Sequence, residues 1–464
     1  MNKKIFIFLP DGVGLRNFAF TKFKEIGTLK GYKIVYWNNT LFPLKKELNF
    51  KELRIENHKI NPLTTIFTRA RKRIELNIFD KKFKETVYNT YNFPQSYKGF
   101  KNAFKSLMVN VLVFFCSNKK GLLFVRNRIK KLERNSSKYQ YCKKQLFKNK
   151  PDFIFCTNQR PTQAIAPLLA AQDLNIPTAT FIFSWDNLPK ATTLVETDYY
   201  FVWSDYMKKE LLKYCNYVKE NQVFITGTPQ FESHFDKGLL QSKNEFFKQY
   251  NLDVNKKYIC YSGDDIVTAP LDQFYLEDLA KSVLKLNKQG YNLGIVYRKC
   301  PVDFTGRYHR VIEKYKKVIK VLDPLWKPVG KNWNEIMPTK EDFTLQANIC
   351  EHTEFVVNIA SSMVFDFVAH NKSCLFLNYE QPQLKKGIRD IGQNYNYIHF
   401  RSMPSKDAAL WCRDKESLTA VVKNIMDGKS SNVTAGKKWF KTVAGLIPTK
   451  ASKNIWDSID KILK

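Results

Sequence analysis

The stretch PDFIFCTNQRPTQAIAPLLAAQDLNIPTATFIFSWDNLPK, residues 151–190, reads as strand, helix, strand. Phe153 to Cys156 is a short apolar run of the kind buried on both faces. Pro161 to Asp173 carries Ala and Leu at helical spacing, and Pro177 restarts the chain into a second apolar run, Ala179 to Phe183. Two strands joined by a helix form a parallel β-α-β unit, because parallel neighbours need a crossover connection.

The same rhythm extends in both directions. Upstream, KIFIFLPDGVGLRNFAF (residues 4–20) gives a buried strand at Ile5 to Leu9, a turn at Asp11-Gly12-Val13-Gly14, and a helical pattern containing Phe18, Phe20 and Phe23. Downstream come YYFVWS (199–204), a helix from Asp205 to Tyr214, and QVFITGTPQF (222–231). After a Lys-rich stretch a second series begins with KYICYSGDD (257–265), NLGIVYRKCP (292–301), KVIKVLDP (317–324), FVVNIASS (355–362) and SCLFLNYE (373–380), interleaved with helices. This predicts an α/β chain of two Rossmann-like domains facing a cleft. The expected division is 1–235 with an insertion at about 45–150, then 236–440. A C-terminal helix, 441–464, with Ile455, Ile459 and Ile462 on one face, is expected to return to the first domain.

Bulk properties narrow the classes. The nine Cys show no CxxC pair and no His at finger spacing, so neither a zinc module nor a disulfide framework is expected, and a reducing cytoplasm fits best. No signal-peptide pattern precedes Ile5, and the longest apolar stretch, SLMVNVLVFFCS at 106–117, is too short to span a bilayer. The net charge is +33, and residues 51–150 hold 25 Lys or Arg against 6 Asp or Glu. Such a segment suits a polyanion: an anionic lipid surface or nucleic acid. No RNA or DNA motif accompanies it, and its aromatics are not spaced as a stacking platform.

Four stretches resemble GT-B glycosyltransferases, more narrowly the bacterial surface-polysaccharide enzymes near the CDP-glycerol glycerophosphotransferases. They are LPDGVGLRNF, SWDNLPKATTLVETDYYFVWSDYMKKELLKY (184–214), VFITGTPQFESHFD (223–236) and NIASSMVFDFVAHNKSCLFLNYE (358–380). The third is similar to the hinge approach of these enzymes and of nucleotide-sugar 2-epimerases. In the fourth, the resemblance implies a Ser pair, Ser361 and Ser362, opening a helix at the donor diphosphate, with Asp366 following. The residues allow the same chemistry: hydroxyls and free N–H groups at a strand-to-helix turn suit phosphate oxygens, and Asp366 lies one turn on, within reach of a sugar or ribose hydroxyl.

Arg298 and Lys299 end an apolar strand and can neutralise a diphosphate. Gly12, Gly14 and Gly263 stand in turns where a bare backbone can approach a donor. In relatives the loop after Lys299 often carries His-Pro; here it is Cys300-Pro301. A general base is expected at Asp11, with Asp186 as the other candidate, each following a strand in the first half. His234 is a lesser candidate, while His58, His309, His352, His370 and His399 lack such loop contexts. The Glu pair of many retaining enzymes is absent around 350–366, so inversion is expected. No metal and no cofactor are expected.

The leading expectation is an inverting, nucleotide-sugar-dependent transferase acting on a glycan or lipid-linked acceptor, peripheral at the inner membrane face through residues 51–150. A glycerophosphotransferase or a CMP-sialic-acid-like transferase is the alternative within the fold. A nucleotide-sugar epimerase and a basic nucleic-acid-binding protein are the alternatives outside that activity.

Overall fold

A computed structural model describes residues 3–464 apart from 57, 93, 330–335, 386 and 446. The chain divides into two compact units, Met1–Thr228 with Lys450–Lys464, and Pro229–Thr449.

The first unit opens with β1 (Lys4–Leu9), α1 (Val13–Phe18), α2 (Phe23–Leu29), β2 (Lys33–Asn38), α3 (Leu44–Leu48) and β3 (Glu52–Arg54). Four helices follow: α4 (Thr64–Phe83), α5 (Phe100–Cys116), α6 (Lys119–Arg134) and α7 (Ser137–Asn149). Then come β4 (Phe153–Cys156), α8 (Ile165–Gln172), β5 (Thr178–Phe181), β6 (Tyr199–Val202), α9 (Asp205–Tyr214) and β7 (Val223–Ile225). The strands form one sheet in the order β3-β2-β1-β4-β5-β6-β7. Ile5 pairs in parallel with Ile34 on one side and Phe153 on the other. Ile5 to Leu9 are fully buried, as a central parallel strand covered on both faces must be.

The helical pattern expected from Val13 through Phe23 is broken into α1 and α2. The Thr21 hydroxyl donates to the Asn17 carbonyl at 2.7 Å, and its oxygen accepts the Phe23 N–H at 3.3 Å, so local side-chain bonds close the intervening turn. Both Phe18 and Phe23 still pack on Phe155.

Helices α4 to α7 account for most of the segment that sequence alone left unassigned. Ile66, Ala70 and Ile74 of α4 join Val125, Ile129 and Leu146 in one core with Phe6 and Phe8 of β1. Part of the basic charge here is internal. Buried Arg71 pairs with Glu75 and donates to the carbonyls of Thr193 and Ala191, at 2.9 and 2.7 Å. Arg126 bridges Glu75 and Glu196, and lies over the Tyr217 ring.

The second unit contains α10 (Lys243–Gln249), β8 (Lys257–Ser262), α11 (Asp272–Asn287), β9 (Leu293–Arg298), α12 (His309–Lys314) and β10 (Ile319–Val321). A two-residue ladder joins β11 (Lys327–Pro328) to β12 (Ile336–Met337), ahead of α13 (Lys340–His352), β13 (Phe355–Asn358), α14 (Met363–Ala369) and β14 (Ser373–Leu377). The unit closes with β15 (Leu410–Cys412), α15 (Leu418–Met426) and α16 (Val433–Ala444). Its main sheet runs β10-β9-β8-β13-β14-β15.

The last helix, α17 (Ala451–Leu463), belongs to the first unit. Trp456 stacks on Phe23 with ring centroids 4.9 Å apart, and its indole N–H donates to the Phe23 carbonyl at 2.7 Å. Lys30 pairs with Asp457 and Asp460 at 2.7 and 2.5 Å.

Candidate functional site

Each main sheet reverses its strand order once, between β1 and β4 in the first unit and between β8 and β13 in the second. In open parallel sheets, loops at the C-terminal ends of the strands flanking such a reversal splay apart and leave room for ligands.

At the first reversal stands Asp11. Its Oδ2 accepts from Asn158 Nδ2 at 2.9 Å, and its Oδ1 accepts the Val13 N–H at 3.3 Å. Burial pushes the Asp11 carboxyl above the usual carboxylate range, against the pull of the Asn158 bond and the Arg160 charge. Asn158 is itself fixed, its Oδ1 accepting the Arg160 N–H at 3.1 Å. The next residue, Gln159, accepts the Phe183 N–H and donates to Asn187 Oδ1, both at 3.1 Å. Asn187 in turn donates to Asp186 Oδ1 at 2.8 Å, while Asp186 Oδ2 pairs with Lys190. The two acids expected as bases are thus tied to consecutive residues of one loop. Proton uptake at Asp186 would break an ion pair, whereas the direct side-chain donor to Asp11 is a neutral amide.

Gly12 caps α1 with φ −71°, and Gly14 lies within the helix. A Cβ on Gly14 would meet Thr157 Oγ1 at 2.3 Å and Leu9 Cδ2 at 2.9 Å. The space beside Gly14 is therefore filled by protein, and the glycine lets α1 lie against the ends of β1 and β4.

At the second reversal, the Gly263 N–H donates to the Arg298 carbonyl at 2.9 Å, in a turn crowded by Tyr297 and Tyr308. Across from it lies the Ser pair. Asn358 Oδ1 accepts the Ser361 N–H at 3.1 Å, and Ser361 Oγ accepts the Met363 N–H at 3.3 Å. Ser362 is the N-cap of α14 and makes no side-chain cap bond. Ala360 sits in the left-handed region, φ 54°, held by its N–H donating to Tyr395 at 3.1 Å. Such a backbone is uncommon for a residue with a Cβ, and it stands immediately before the two serines.

Two of the donor-side candidates are engaged by neighbouring side chains. Arg298 is buried and gives Nη2 to both oxygens of Asp342 at 2.9 Å, and Asp342 also accepts from Trp326 Nε1 at 2.8 Å. Its guanidinium is neutralised in place, and its buried Nη1 lacks a hydrogen-bond partner. The neighbouring Lys299 is part-exposed and pairs with Asp323 at 3.3 Å. Asp366 is likewise turned inward: its Oδ1 accepts from Gln346 Nε2 at 2.9 Å and lies 2.7 Å from His234 Nε2. From there a buried chain continues, His234 Nδ1 to His370 Nε2 at 3.0 Å and His370 Nδ1 to Glu351 Oε2 at 2.7 Å. Burial, then the His234 ring, lower the proton affinity of His370.

Asn158, Gln159, Asn187 and Glu351 are not singled out by the sequence, and His370 is set aside there for want of a loop context. For the first two a signal existed, since TNQ directly after an apolar strand places polar side chains where a ligand-facing loop begins. The His chain had none, because its members are brought together from separate elements.

No protein-family model matches the chain, and no curated protein matches it. Solved structures do. Staphylococcus aureus MnaA, in a UDP co-structure, aligns with a TM-score of 0.54 at 13% identity over 99% of this chain and 97% of its own. A glycosyltransferase from Rickettsia africae gives 0.53 at 11% identity over 100% and 99%. The UDP-GlcNAc 2-epimerase of Methanocaldococcus jannaschii gives 0.51 at 14% identity, also over 100% and 99%. The likeness covers both units, and the fold is GT-B, built from two Rossmann-like units.

Proposed function

We propose that this chain is an inverting glycosyltransferase that moves a sugar from a nucleotide-sugar donor to a lipid-linked surface-glycan acceptor. The observation that carries the reading is the coincidence of functional groups with both strand-order reversals. A carboxyl with raised proton affinity stands at one, and a Ser-Ser turn suited to phosphate oxygens stands at the other. That similar folds include a UDP co-structure and a glycosyltransferase supports the ligand class.

In this reading Asp11 takes the proton of the acceptor hydroxyl as that oxygen bonds to the anomeric carbon from the face opposite the diphosphate. The bond from that carbon to the diphosphate oxygen breaks, and the nucleoside diphosphate leaves with the electron pair. The Ser361 and Ser362 hydroxyls, the amides of their loop and Lys299 receive the developing charge. Asn158 orients Asp11, and Asp186 positions the loop through Asn187 and Gln159.

A nucleotide-sugar 2-epimerase is the second reading, favoured by the names of proteins sharing the fold. The test is incubation with UDP, GDP, CDP and CMP sugars, with and without a membrane lipid extract as acceptor. Transfer predicts nucleotide release that needs the extract. Isomerised sugar formed without acceptor supports the epimerase and overturns the transferase.

A further inference from the structure

Helix α5 turns its apolar side outward. Phe100, Phe104, Leu107, Val111, Phe114 and Phe115 are exposed, with Phe100 and Phe114 at 87% and 82%, while Ser106, Val109 and Cys116 are buried. At about 100° per residue the six exposed positions fall within one stripe of roughly 100°, and the buried ones lie on the opposite face. Core packing therefore does not explain the stripe.

Apolar exposure continues on α6. The turn between the helices is tight: a Cβ on Gly121 would lie 2.4 Å from the Cys116 backbone, and Asn118 caps α6 by accepting the Gly121 N–H at 2.9 Å. Just past it Leu123 and Phe124 are also exposed. Of the 24 exposed large apolar side chains among the described residues, nine fall between Tyr97 and Phe124, so the exposure is concentrated rather than scattered.

Its electrostatic surroundings identify what covers it. From Thr86 to Leu132 there is no Asp or Glu, while nine Lys or Arg occur. Of these, Arg126 is consumed by Glu75 and Glu196, and Lys130 by Glu196. Lys98, Lys101, Lys105, Lys119, Lys120, Arg128 and Lys131 remain on the exposed surface beside the stripe. A protein partner would have to bury six large apolar groups and neutralise this cation border together. An anionic bilayer does both without special shape, taking side chains into the acyl boundary while phosphates meet the lysines. We propose that the α5–α6 hairpin is the bilayer-docking face, seated in the plane of an anionic leaflet. This face goes beyond the transfer reading and does not depend on it.

The test uses the full chain, without nucleotide, in co-sedimentation with phosphatidylcholine vesicles carrying 0 to 40% phosphatidylglycerol, percentages set on the order needed to span weak to strong surface charge. Binding is expected to rise steeply with phosphatidylglycerol and to fall with salt. Val111→Ser with Phe114→Ser and Phe115→Ser should weaken it about tenfold or more while leaving the thermal midpoint unchanged, since these side chains are exposed. Lys101→Gln with Lys105→Gln, Lys119→Gln and Lys120→Gln should reduce the salt dependence. Duplex DNA is the control, and its binding should be unaffected by the Ser changes. Three results overturn the proposal: no vesicle binding by the native chain, equal loss of vesicle and DNA binding in the folded Ser variant, or a dimer that this variant dissociates with vesicle binding intact.

Discussion

Asp11 and Asp186 are the same residue type after strands of the same sheet, and their partners separate them. The neutral Asn158 amide lets Asp11 keep a raised proton affinity, as a base needs, while Asp186 is spent on Lys190. Asp11→Asn should lower turnover by about 10² to 10⁴ with nucleotide affinity unchanged, measured by initial rates and calorimetry. The same change should raise stability at neutral pH. A carboxyl whose folded value lies above 3.8 binds more protons when folded, so it stabilises at low pH and costs stability once pH exceeds the folded value. Replacing it removes that cost, and thermal unfolding at pH 7 should show a higher midpoint for the variant. His370 works in the opposite sense. Its proton affinity is lowered on folding, so its contribution is intact above the ordinary 6.5 and is lost as pH falls from there. His370→Gln should flatten the decline of the unfolding midpoint between about pH 6.5 and 5 relative to the native chain.

At the scale of elements, the fit of α17 onto α2 depends on a missing side chain. A Cβ on Gly27 would fall 2.3 Å from the Trp456 ring. Gly to Ala inside a helix ordinarily gains about 1 kcal/mol, but forcing a methyl into this contact costs about 1 to 3 kcal/mol. Gly27→Ala should therefore destabilise the native chain, and the cost should shrink in a Trp456→Ala background, where the remaining close neighbour is Ile34 Cδ1 at 2.7 Å, a non-additivity that denaturant titration of the four proteins reads directly. The elements legible in the sequence are those whose apolar runs are long enough to show periodicity: β1, β8, β9 and α9 stand where the runs predict them. Strand β15 escaped because three residues, two of them only half buried, carry no pattern. The break between α1 and α2 escaped because it rests on one Thr hydroxyl. Of the candidate site, the Ser pair and both acids were legible as loop residues after strands. The inward turn of Arg298 and Asp366 was not, since Asp342 and His234 reach them from elsewhere in the unit.

At the scale of the whole molecule, two parallel sheets with one reversal each offer two loop clusters, and the account assigns proton removal to one and donor binding to the other. The α5–α6 face adds a separate surface whose readout, vesicle binding, needs no substrate. The central claim, a nucleotide diphosphate held by the Ser361-Ser362 turn, is tested most directly by calorimetric titration of the native chain and of Ser361→Ala with Ser362→Ala, using UDP, GDP, CDP and CMP. The account predicts that one of the three diphosphates binds the native chain, and more tightly than CMP, which carries a single phosphate. At a hundred times its dissociation constant that diphosphate should stabilise the fold by about 2.7 kcal/mol. The double variant should bind it at least about tenfold more weakly with the same unfolding midpoint, since charge-assisted bonds to phosphate are worth about 1.5 to 3 kcal/mol. Equal affinity in the two proteins, or no binding of any of the three diphosphates to the native chain, would contradict it.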